Sequence, residues 1–78
     1  MEPDTFRARY VTLSTRQRSI LLLRCHGGTN AEVARQLFVE EKTVKNHMAR
    51  ILAQMGVRGR RGTAALCTQI TDVIGTSD

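Results

Sequence analysis

Residues 29–57, TNAEVARQLFVEEKTVKNHMARILAQMGV, decide the fold. They open with Thr29-Asn30-Ala31-Glu32, the pattern of a capping box. In such a box the Thr hydroxyl accepts from the third helical amide, and the Glu reaches back to the cap amide. Val33, Ala34 and Leu37 then form one stripe, which predicts a short helix over 30–37, with small Ala34 permitting close approach of a neighbour. Three residues, Phe38-Val39-Glu40, separate this from a second pattern, and Phe38 and Val39 are expected to plug the core at the turn. Val44, Met48, Ile51, Leu52 and Met55 recur at i, i+4, i+7, i+8 and i+11, which predicts a helix over 41–55. Gly56 suits the left-handed position that ends a helix, and Val57 can pack back on the last turn. A capped short helix, a tight turn and a longer helix with one apolar seam make a helix-turn-helix unit.

Working outward from this unit, Ser14-Thr15-Arg16-Gln17 is a second capping box. Ile20, Leu21, Leu22, Leu23 and Cys25 follow on a broad apolar face, and Gly27-Gly28 stops the pattern, so a helix is predicted over 15–26. Upstream, residues 1–12 lack periodicity and read as a flexible arm, pinned in part by Tyr10, Val11 and Leu13; a phosphate-touching arm is the other reading. Downstream, Ala64, Leu66, Cys67, Ile70, Val73 and Ile74 predict a helix over 60–74, weakened in its first turn by Gly62. Residues 75–78 read as a frayed tail. The expected fold is all-α, four helices in one domain over 13–74.

The length of 78 residues suits one domain with a small core, since a domain of this size buries only roughly 60% of its unfolded surface. Apolar residues at 41% suffice for a core, and with no Trp, one Tyr and two Phe it is mainly aliphatic. The net charge is +5, and ten of the twelve cations are Arg, which suits bidentate phosphate contacts. The excess is localised: residues 41–61 carry Lys42, Lys45, Arg50, Arg58, Arg60 and Arg61 against Glu41 alone, while the rest of the chain is balanced. Such a patch is the footprint expected for a polyanion. Cys25 and Cys67 read as buried thiols on apolar helical faces, with a disulfide as the other reading. No CxxC or His-spaced set accompanies them, so neither a metal nor another cofactor is expected. The first residues lack a signal-peptide pattern, and no segment approaches the ~20 apolar residues of a membrane span, so a cytoplasmic location is expected and no membrane partner.

The outer face of helix 41–55 is the candidate reading surface for the major groove of double-stranded DNA. Lys45 can donate to guanine acceptors, Asn46 can pair with adenine, and Ala49 is small enough to touch a thymine methyl. Arg50 is grouped with these base contacts, although like Lys42 it stands nearer the edge where phosphates run. Lys42, Thr43, Thr29 and Asn30, with the helix N-terminal amides beside it, are backbone-contact candidates, and Arg58, Arg60 and Arg61 would clamp the strand. The plain alternative for a Lys/Arg face is a solvated face; the capped helix and tight turn ahead of it favour the reading surface. His47 flanks the seam as a packed residue, and His26 suits a helix C-terminus. No paired carboxylate, nucleophile–base set or phosphate loop supports an enzyme.

The motifs Leu13-Ser14-x-Arg16, Gly27-x-Thr29-Asn30-x-Glu32-Val33-Ala34-x-x-Leu37, Thr43-Val44-Lys45-x-His47, Ile51 and Met55-Gly56-Val57-x-x-Arg60 together resemble the LuxR-type (GerE-like) helix-turn-helix domain. The resemblance runs from about Leu13 to Cys67. It implies a four-helix domain that reads DNA with its third helix and commonly dimerises through its fourth. Lys45, Asn46 and Ala49 would then face bases, Thr43, Asn30 and Arg60 the backbone, and Ala64, Cys67, Thr68 and Thr71 a partner subunit. The chain departs from the family at Gln17 and Ser19, where Glu is usual, and at Glu40, where a Ser-like cap is usual. The leading expectation is a dimeric, sequence-specific transcription regulator, stand-alone or excised from a larger protein. The alternatives are a sigma-factor-like promoter reader that needs RNA polymerase, and a protein–protein module that heterodimerises with a larger LuxR-type regulator.

Overall fold

The computed structural model describes residues 3–70, which form five helices: α1 (Pro3–Tyr10), α2 (Thr15–Cys25), α3 (Asn30–Leu37), α4 (Glu41–Met55) and α5 (Gly59–Gln69). Both capping boxes are formed. The Ser14 hydroxyl accepts from the Gln17 amide at 3.1 Å while the Ser14 amide donates to the Gln17 side chain at 2.8 Å. Thr29 and Glu32 make the same reciprocal pair at 3.1 and 2.9 Å. Two orphan donors at each helix start are satisfied in this way.

Three helices end alike. The amides of Gly28, Val39 and Val57 reach back five residues to the carbonyls of Leu23, Ala34 and Leu52 at 3.2, 3.0 and 3.0 Å. In each case the preceding residue is left-handed: Gly27, Phe38 and Gly56. This is the 6→1 bond of a Schellman ending. Glycine adopts that conformation without strain, whereas Phe38 does so at φ 58, where a side chain costs roughly 1–2 kcal/mol. The expectation that Phe38 plugs the core is corrected: its ring is 93% exposed. The left-handed backbone turns Phe38 outward, and Val39, half-buried, packs against the core instead.

The core is one cluster centred on α4, whose Val44, Met48, Ile51 and Met55 are buried as the periodicity predicts. Ile20 and Leu21 of α2, Val33 and Ala34 of α3, and Leu66 of α5 close around them, with Ile70 just past α5. Gln17, where the family usually has Glu, is itself buried and donates to the Gln54 carbonyl oxygen at 2.6 Å, joining α2 to α4. Gly62 is more than a weak helix start. A Cβ there would stand 3.0 Å from Cβ of Val57, so its absence lets the chain after α4 lie close against α5.

Two expectations are overturned. Residues 1–12 were expected as an arm, but 3–10 form α1, and Phe6 is fully buried in the core. Phe6 and Tyr10, one helical turn apart, stack at 5.5 Å, and the Arg18 guanidinium lies 5.2 Å from the Tyr10 ring centre. Val11 is 65% exposed and pins nothing. The cysteines are not free buried thiols: Cys25 and Cys67, both half-buried, form a disulfide between α2 and α5 with Cα atoms 5.2 Å apart. That spacing is normal for a disulfide. Helix α2 also ends one residue earlier than predicted, with His26 as its cap. Thr71, Val73, Ile74 and the tail at 75–78 lie outside the described residues. Among the described residues no helix is long and apolar enough to cross a membrane.

The Thr29–Glu32 box carries a pH signature. The amide and hydroxyl of Thr29 hold the Glu32 carboxyl below its ordinary range. A depressed folded-state pKa stabilises the fold above the unfolded value, about 4.3, and the gain is lost as pH falls through the folded value. Glu32→Gln keeps a side chain able to close the box but removes the charge. Thermal melts should show a wild-type advantage at neutral pH that vanishes in acid; an advantage constant with pH would refute the assignment.

Candidate nucleic-acid interface

Helix α4 divides cleanly between core and solvent. Against its four buried residues, Lys42, Lys45, Asn46, Ala49 and Arg50 are exposed on the opposite side, while Thr43 and His47 are half-buried along the seam. Capped α3 and the Phe38-Val39-Glu40 turn set the angle at which this face is presented. Glu40, which replaces the usual Ser, makes no side-chain cap bond at the start of α4, while its carbonyl accepts from the Val44 amide at 3.2 Å.

Two grooves flank the exposed ridge of α4. The larger, about 590 Å³, runs between α4 and α5 and is lined by Asn30, Lys45, Ala49 and Arg60 among the predicted contacts, with Arg24, Met48 and Leu52. The smaller, about 190 Å³, is lined by Thr43, Asn46 and Arg50 together with His47. The structure therefore sorts the predicted residues onto two sides of one helix. Lys42, Arg58 and Arg61 are exposed but line neither groove. Thr29 is exposed, yet its amide and hydroxyl are both committed to Glu32. Asn30 is half-buried, with its Oδ1 lacking a partner.

Sequence reading missed Arg24 and underrated His47. The signal for Arg24 was present: it is the one charge in the apolar run Ile20 to Cys25. It lines the larger groove. His47 lines the smaller one, with its Nδ1 buried and unpaired.

On α5, Ala64 and Thr68 are exposed one turn apart, the Thr68 hydroxyl donating to the Ala64 carbonyl at 3.1 Å. Cys67 does not belong to that face as expected, because its sulfur is bonded inward to Cys25. Thr71 falls outside the described residues.

A capped helix, a three-residue turn and a second helix with an exposed cationic face define a helix-turn-helix DNA-binding domain. A family model described as bacterial regulatory proteins, luxR family, matches residues 11–67. The chain belongs to that family of transcription regulators. Helix α1 precedes the matched span. The DNA-binding transcriptional activator DevR/DosR of Mycobacterium tuberculosis is 38% identical over 58 residues, 74% of this chain and 27% of that protein. The spore germination protein GerE of Bacillus subtilis is 40% identical over 48 residues, 62% of this chain and 65% of GerE. The transcriptional regulatory protein LiaR of Bacillus subtilis is 40% identical over 53 residues, but only 25% of LiaR is covered. The chain thus spans about a quarter of the length of DevR/DosR and LiaR. No solved structure matches at a comparable level of significance.

Proposed function

We propose that the chain regulates transcription by laying α4 in the major groove of a specific DNA site, in the bacterial cytoplasm where that DNA lies. The observation that carries this is the one-sided cationic face of α4, held at a set angle by α3. Lys45, Asn46, Ala49 and Arg50 read bases, while Thr29, Asn30, Lys42, Thr43, Arg58, Arg60 and Arg61 hold the backbone. A second copy pairs through the exposed Ala64–Thr68 side of α5, so that two α4 helices meet two half-sites. The relatives named as transcriptional regulators support this reading.

The test is affinity for duplex DNA as a function of salt. Four cations on phosphates, Lys42, Arg58, Arg60 and Arg61, predict a slope of log affinity against log salt of about −3.6, from roughly −0.9 per phosphate. A slope near zero would sink the proposal. In the same titration Lys45→Ala should cost roughly 1–3 kcal/mol on the preferred site and relax base choice there. Equal losses on preferred and random DNA would reassign Lys45 to a phosphate.

A further inference from the structure

The larger groove holds a donor and an acceptor that the fold leaves unused. Arg24 and Asn30 both line it, and the Nε of Arg24 and the Oδ1 of Asn30 are shielded from solvent without a hydrogen-bond partner. Leaving a guanidinium donor buried and unpaired is costly, since the lost hydration is not returned. Two further cations, Lys45 and Arg60, line the same groove. Its floor is apolar, with Met48 and Leu52.

The Arg24 head is held in place. Its Nη1 donates to the Gly28 carbonyl at 3.2 Å, anchoring the guanidinium beside the turn into α3. The next residue, Cys25, is bonded to Cys67, which ties the α2 end bearing Arg24 to the helix that supplies Arg60, Thr63 and Ala64. A guanidinium anchored at one nitrogen, sharing a braced groove with two more cations, is suited to an oxyanion.

We infer that Arg24, with Arg60, seats a phosphate-class oxyanion in the groove between α4 and α5, beside base-reading Lys45, and that a DNA backbone phosphate is its source. The assignment of DNA as source rests on the function proposed above; the clamp itself does not. Arg24 is then a positioning residue for the reading helix, because a phosphate held beside Lys45 and Ala49 sets the depth of α4 in the groove.

The test compares the full chain with Arg24→Met, which keeps an unbranched apolar stem, and Arg24→Lys, which keeps the charge but loses the fork. On duplex DNA, Arg24→Met should bind about tenfold more weakly, equally on preferred and random sequence, with its salt slope shallower by about 0.9. Arg24→Lys should keep the slope and lose part of the affinity. A folded Arg24→Met with unchanged affinity and slope would overturn the DNA assignment. A second arm adds pyrophosphate alone and follows the melting temperature. An Arg24-dependent rise with no salt-sensitive DNA binding would assign the clamp to a free anion and refute the DNA source. No response in either arm overturns the clamp. Should the variants fail to fold, the Arg24 Nε–H resonance of the wild-type chain decides. It should shift and exchange more slowly with DNA, and an unmoved resonance on bound DNA overturns the inference.

Discussion

Reduction of the Cys25–Cys67 bond is expected to lower the unfolding free energy by about 4 kcal/mol, the loop-closure entropy released for a separation of 42 residues. A domain of this size has only roughly 4–12 kcal/mol in total, so this is a large share. The melting temperature should fall by about 15–30 °C, since each kcal/mol moves a small domain by roughly 4–8 °C. Apart from this bond, α5 is attached to the core mainly by Leu66, by Ile70 just beyond it, and by the Val57–Gly62 approach. Urea unfolding with and without a dithiol reductant, and of a Cys25→Ser/Cys67→Ser double variant, measures it. Identical curves under oxidising and reducing conditions, with two titratable thiols throughout, would show that the bond does not form.

Phe6→Ala should cost about 3–5 kcal/mol, the range for removing a fully buried aromatic side chain and leaving a cavity. A flexible arm would predict almost nothing, so this substitution separates the two readings of residues 3–10. Phe6 is fully enclosed, and its loss also removes the ring that Tyr10 stacks on. Val11→Ala is the control: with its side chain 65% exposed it should stay within roughly 0.5 kcal/mol. Equal midpoints for Phe6→Ala and wild type in denaturant would return α1 to the status of a tail.

The legible part of this fold has a common cause. The helices α2, α3 and α4 carry local signals of start and stop: two capping boxes, two glycines in left-handed positions and an apolar seam of period 3.6. The caps and endings act within about five residues and the seam within one helix, so each can be read without knowing what lies across the core. The same applies to the exposed face of α4, since a seam of Val44, Met48, Ile51 and Met55 leaves Lys45, Asn46, Ala49 and Arg50 no other side. Helix α1 has only weaker signals, Pro3 and Asp4 in its first turn and Arg7 and Arg9 in its last. Two aromatic residues one turn apart become a helix only when a core is present to receive Phe6.

The turn shows the same division. Its length was readable, but the direction of Phe38 was not, because a non-glycine residue is rarely left-handed and the ending was imposed by the Val39 bond to Ala34. Gly62 looked like a flaw in a helix and proves to be a contact. By itself, then, the sequence determined the helix-turn-helix unit, its caps and the cationic face, all consequences of periodicity and short-range hydrogen bonding. Tertiary structure alone decided that Cys25 meets Cys67, that Phe6 joins the core, and that Arg24 shares a groove with Lys45 and Arg60. Those pairings join residues far apart in the chain, and their geometry exists only once α2 and α5 have packed on α4.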